Sequence, residues 1–75
     1  MIPTQLITEA AVYLEAEQEA RNIQHWSISG DTRGVVILVR KGDAVHSREV
    51  ARLCATRATF SVLRENAKIC VERVQ

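Results

Sequence analysis

Ser29-Gly30-Asp31-Thr32-Arg33-Gly34 runs directly into Val35-Val36-Ile37-Leu38-Val39, and the reading of this stretch decides the fold. A run of β-branched and aliphatic residues after a glycine-bounded turn predicts a buried strand over residues 35 to 39. Glycine closes both ends of the connection from Gly30 to Gly34, which is short enough for the flanking strands to pair antiparallel as a hairpin. The run is apolar at odd and even positions alike, so both faces of the strand ask for cover. That pattern places it centrally in a sheet, with other elements or a partner chain over it. In the strand before it, Trp26 and Ile28 point to one side while Ser27 and Ser29 point to the other.

Upstream of the hairpin the periodicity changes. Thr4 can cap a helix beginning near Gln5, and Leu6, Ile7, Ala10, Ala11 and Leu14 recur on one face of it. Thr8, Glu9, Glu15 and Glu19 take the opposite side, and Glu17 precedes Arg21 by one helical turn in the favourable orientation for an ion pair. This helix is expected to reach about Arg21, with Asn22 to His25 as its exit.

Downstream, Arg40-Lys41-Gly42-Asp43 reads as a polar turn with Gly42 available for positive φ. Ser47 is a good cap for a second helix, in which Val50, Leu53, Cys54 and Ala58 line one face and Arg48, Glu49, Arg52 and Thr56 the other. The C-terminal stretch supports two readings. As a helix, Phe60, Leu63, Ala67, Cys70 and Val74 form one apolar seam. As a hairpin, 59 to 63 and 68 to 74 are rich in β formers and are separated by Arg64-Glu65-Asn66-Ala67. Ile69-Cys70-Val71 and Thr59-Phe60-Ser61-Val62 favour the hairpin, because a free-standing helix more often carries Ala, Leu, Glu and Lys. The expected fold is α+β, with two helices packed on an antiparallel sheet in the order α-β-β-α-β-β. Its alternative is a mostly helical chain with one hairpin, residues 59 to 74 being helical.

The 75 residues, 47% of them hydrophobic and 25% charged, describe a single compact domain spanning 1 to 75. Folding a chain of this length hides only about 60% of the surface it exposes when unfolded, so its core is marginal and association would help it. The net charge of +1 conceals an asymmetry. Residues 1 to 25 carry Glu9, Glu15, Glu17 and Glu19 against Arg21, whereas the remainder is basic. An acidic helix lying near a basic remainder, within one chain or across a dimer, accounts for that split. The N-terminal stretch lacks a basic region leading into an apolar run, and no apolar run approaches the roughly 20 residues of a membrane span. The expected location is cytoplasmic, without membrane association, and there Cys54 and Cys70 are expected as reduced, buried apolar residues.

Few residues offer chemistry. His25, His46, Cys54 and Cys70 are ligand types for zinc, but their spacings form no paired ligand motif. His46 reads as a turn or capping histidine and His25 as packed or half-exposed beside Trp26. Asp31 and Asp43 sit in turns, and Ser29, Ser47 and Ser61 have structural roles to fill first. No catalytic residue, cofactor-binding residue or metal ligand is assigned, and the chain is read as not an enzyme.

The segment from Ser47 to Arg64 resembles the helix-turn-helix regulators, in its Val50-Ala51 near the middle of a first helix and in the arginines that follow. It departs from that pattern at Ala55, where the motif has its turn glycine, and at Ser61 and Arg64, which fall at apolar positions. The resemblance implies a DNA-binding regulator contacting nucleic acid through Arg48, Arg52, Arg57 and Arg64. Modest charge, small size and more aliphatic side chains than one small core can hide favour a different reading. On it, the chain is a protein-interaction module, a small regulator, inhibitor or adaptor that is itself a homodimer.

Overall fold

The computed structural model describes residues 4–31, 34–51 and 57–75. Helix α1 spans Thr4–Glu19. It ends two residues before Arg21 because the chain turns there into a left-handed cap. Arg21 has φ 64°, its N–H donates to the Gln18 carbonyl, and the Asn22 N–H donates to the Glu17 carbonyl, each at 3.0 Å. These two bonds satisfy carbonyls that the last turn leaves open, in the manner usually built around glycine. The Asn22 side chain reinforces the cap by donating to Glu17 Oε2 at 2.8 Å.

Three strands follow: β1 over His25–Asp31, β2 over Gly34–Lys41 and β3 over Ala44–Ala51. They form one antiparallel sheet in the order β1-β2-β3. The expected hairpin is present with a tighter turn, since pairing extends to Asp31↔Gly34 and leaves between them only positions 32 and 33, outside the described residues. The apolar run 35 to 39 is central, as its composition demands. Helix α2 spans Arg57–Val74. The class is therefore α+β, with two helices and an antiparallel sheet.

The element order is α-β-β-β-α, which corrects the sequence reading in two places. Residues 47 to 51 are strand, where a helix capped by Ser47 was expected. Lys41 pairs with Ala44 across Gly42 and Asp43, and Gly42 has φ +60°, the backbone that a two-residue hairpin turn with glycine first requires. Once that turn forms, β3 supplies partners for the free edge of β2, whose backbone groups would otherwise go unpaired beneath the helices. Of the rest of the expected helix, Arg52, Leu53, Cys54 and Thr56 lie outside the described residues, and Ala58 belongs to α2.

The second correction is the C-terminal hairpin, which is helix α2. Leu63, Ala67 and Cys70 are completely buried, with Val71 and Val74 nearly so. Burying one aliphatic side chain stabilises by roughly 1.5–3 kcal/mol, several times the few tenths that separate Ile or Val from Leu in helix propensity. The seam outweighs the composition.

Both helices lie on one face of the sheet: α1 contacts β1, α2 contacts β2 and β3, and the helices contact each other. Between these layers sits the core of Ala10, Leu14, Ile23, Val35, Ile37, Val39 and Val50 with Leu63, Ala67, Cys70, Val71 and Val74 of α2, flanked by Tyr13, Trp26 and Ile28. A polar network closes one end of the sheet. Trp26 Nε1 donates to Gln18 Oε1 at 3.1 Å, Gln18 Nε2 donates to the Gln24 carbonyl at 3.0 Å, and Gln24 Oε1 accepts from the Gly42 N–H at 2.9 Å. The end of α1 is thereby tied to the β2–β3 turn.

Candidate functional site

With both helices on one side, no described element covers the second face of the sheet, the open face. Strand alternation and register determine what lies there. Val36 and Leu38 of β2 point away from the helices, whereas Val35, Ile37 and Val39 point toward them and are completely buried. The register sets Ser29, Val36 and Glu49 in one row, Ser27, Leu38 and Ser47 in the next, and His25, Arg40 and Val45 in a third. Val36 is 40% and Val45 57% exposed, and Leu38 is half-buried between serines. The face is thus a short apolar stripe edged by small hydroxyls, with Glu49 and Arg40 in its two outer rows. Val36 and Leu38 were legible as residues in need of cover. Val45, Arg40 and Glu49 escape the sequence reading, because Arg40 reads there as part of the turn 40 to 43 and the two-residue alternation of β3 is interrupted where Ser47 reads as a helix cap.

The covered side of the sheet holds His46, Arg48 and Cys70. His46 pairs with Val39 in the middle of β3, not in a turn or a cap. Its ring is half-buried, and Nε2 is shielded from solvent without a hydrogen-bond partner in the structure. Arg48 donates through Nε to Asn66 Oδ1, and Asn66 Nδ2 donates to the Val62 carbonyl at 2.7 Å. This guanidinium fastens α2 to β3. Cys70 is a buried free thiol whose pKa is pushed up by burial, against a smaller opposing pull from Arg48. His25 is exposed on the open face, and Asp43 is exposed in the β2–β3 turn. Cys54 lies outside the described residues. Among the described residues no group of three or more His, Cys, Asp or Glu side chains gathers where a metal could sit.

Of the four arginines of the helix-turn-helix resemblance, Arg48 and Arg64 lie on different elements, β3 and α2. Arg48 lies on the helix-covered side of β3, where the motif would need its first helix, and Arg64 is exposed on α2. Arg57 begins α2, and Arg52 lies outside the described residues. The exposed side chains of α2 mix Arg64, Lys68 and Arg73 with Glu65 and Glu72.

Surface clefts also occur among the described residues. One, of about 340 Å³, is lined by Thr8, Glu9, Val12, Tyr13, Ala16 and Arg64. Burial there raises the Tyr13 pKa, with Glu17, Glu72 and Glu65 acting in the same direction and Arg64 against them. Another, of about 330 Å³, lies beside the helix cap and is lined by Gln18, Arg21, Ile23, Gln24 and Lys41. No helix among the described residues is long and apolar enough to cross a membrane. Comparison with protein-family models, with curated proteins and with solved structures finds no match to the chain.

Proposed function

We propose that the chain is a non-catalytic protein-interaction module, a small cytoplasmic regulator or adaptor, and that the open face of the sheet is the surface it uses. The observation that carries this reading is the exposure of Val36 and Val45 beside Leu38 on a face that no described element covers. Aliphatic side chains contribute little to binding nucleic acid, which is held mainly by cationic groups on phosphate. An apolar centre with a polar rim is the composition of a protein–protein contact. The mixed signs along α2 and the acidic character of α1 point the same way.

The test is a photo-crosslinking residue placed at Ser47, on the open face, with one at Glu15, exposed on α1, as the control. In cells, position 47 should give a covalent adduct with a defined protein, position 15 should not, and Leu38→Asp should abolish the adduct while the far-UV spectrum is unchanged. Adducts with nucleic acid alone, or equal labelling from both positions, would overturn the reading.

A further inference from the structure

We infer that the occupant of the open face is a second copy of the chain, packed face to face about a two-fold axis that lies between the sheets and runs across the strands. This rests on the reading of that face as a docking surface and supplies the partner.

The choice of axis follows from charge. Arg40 sits in one outer row of the face, on β2, and Glu49 in the other, on β3, with the Leu38 row between them. A two-fold axis along the strands would set Arg40 over Arg40 of the second copy and leave each Glu49 facing β1. An axis across the strands, over the Leu38 row, reverses strand direction while keeping each strand above its own counterpart. Leu38 then meets Leu38, the row of Arg40 faces the row of Glu49, and this happens twice by symmetry. With strands about 4.8 Å apart and packed sheets about 10 Å apart, the Cα atoms of Arg40 and the second copy's Glu49 stand roughly 11 Å apart, within reach of two extended side chains. Either axis keeps the strands of the two sheets aligned, as packed sheets commonly are, so the charges decide between them. Such an interface is isologous, the same patch serving both chains, and its charges are self-complementary only in this orientation.

The face is small. Eight residues of β2 at about 3.3 Å each, across three strands, project to roughly 380 Å², below the ~800 Å² per partner of a standard stable complex. The pairing is accordingly reversible and sensitive to concentration. Sedimentation equilibrium of the full chain from about 10 µM to about 1 mM at low salt tests it. Wild type should approach twice 8.4 kDa, and Arg40→Glu and Glu49→Arg, both exposed, should each weaken association at least tenfold. An equimolar mixture of the two variants should regain it, since the mixed pair restores both opposite-charge contacts. A single 8.4 kDa species throughout would overturn the second copy while leaving the interaction reading to its own crosslinking test. Association that ignores both substitutions and their mixture would place the contact elsewhere and equally overturn the proposal.

Discussion

Ile37 and Leu38 are adjacent in β2 yet face opposite environments, and truncating each in turn tests the placement of the helices. Ile37 is completely buried between the sheet and α2. Ile37→Ala removes buried carbons from a site closed on one side by a regular sheet, where little collapse is available, and the cost is about 3–4 kcal/mol. A domain of this size has roughly 4–11 kcal/mol in total, so about a quarter of its stability or more is lost. Leu38→Ala, on the open face, should cost less than about 1 kcal/mol in dilute solution. Urea denaturation followed by the fluorescence of Trp26, the single tryptophan, reads both values, and an unchanged m-value certifies the comparison. Equal costs for the two substitutions at low concentration would refute the reasoning, because they would mean that both faces of β2 are covered within one chain. A Leu38→Ala cost that grows with protein concentration is the thermodynamic signature of the proposed pairing.

Arg21→Gly should stabilise the chain by about 0.5–1 kcal/mol, because φ 64° is strained for a residue with a Cβ and free for glycine. Gly42→Ala should lose about 1 kcal/mol for the converse reason, φ being +60° even though a Cβ there meets nothing within 4 Å. Chemical denaturation of each variant checks both signs. In a Cys54→Ala background, Cys70→Ala should cost about 1 kcal/mol, and the Cys70 thiol, buried and raised in pKa, should resist alkylation near neutral pH until denaturant opens the core. Tyr13 holds its proton more tightly when folded, so its contribution to stability is complete below the ordinary tyrosine pKa of about 10 and lost as pH rises through the higher folded value. Tyr13→Phe should remove that alkaline loss from a pH series of denaturation midpoints.

The elements that were legible in the sequence owe their form to nearby residues. Helix α1 announces itself through Ala10, Leu14 and its glutamates, and β2 through the unbroken run from Val35 to Val39. Strand β3 does not, since its alternation sets His46, Arg48 and Val50 against Val45, Ser47 and Glu49, with one valine on each face. Neither period is strong in such a segment, and Ser47 offers a plausible cap. What makes it a strand is distant in sequence, the free edge of β2 and the two-residue turn at Gly42. Helix α2 shows a related failure. Its seam of Leu63, Ala67, Cys70 and Val74 was visible, but the β-forming residues between them were given more weight than burial deserves. The candidate face was half legible for the same reason. Val36 and Leu38 advertised a second face needing cover, whereas Val45, Arg40 and Glu49 join it only through the register between β2 and β3.

That face also constrains how an interaction could be used. A permanent partner would need an interface as apolar as a domain core, but each apolar residue of the open face has polar or small neighbours: Val36 lies between Ser29 and Glu49, Leu38 between Ser27 and Ser47, and Val45 beside Arg40. The described core, by contrast, is assembled on the other side of the sheet, from α1, α2, Ile23 of the α1–β1 connection and the inward residues of the strands. If the proposed pairing holds, folding and association draw on separate sets of side chains. On the proposed reading the chain folds before it pairs, and substitutions at Arg40 or Glu49 alter association without altering the fold. Ile37 and Leu63, completely buried, stand in the opposite position, because removing either weakens association only by unfolding the chain that presents the face.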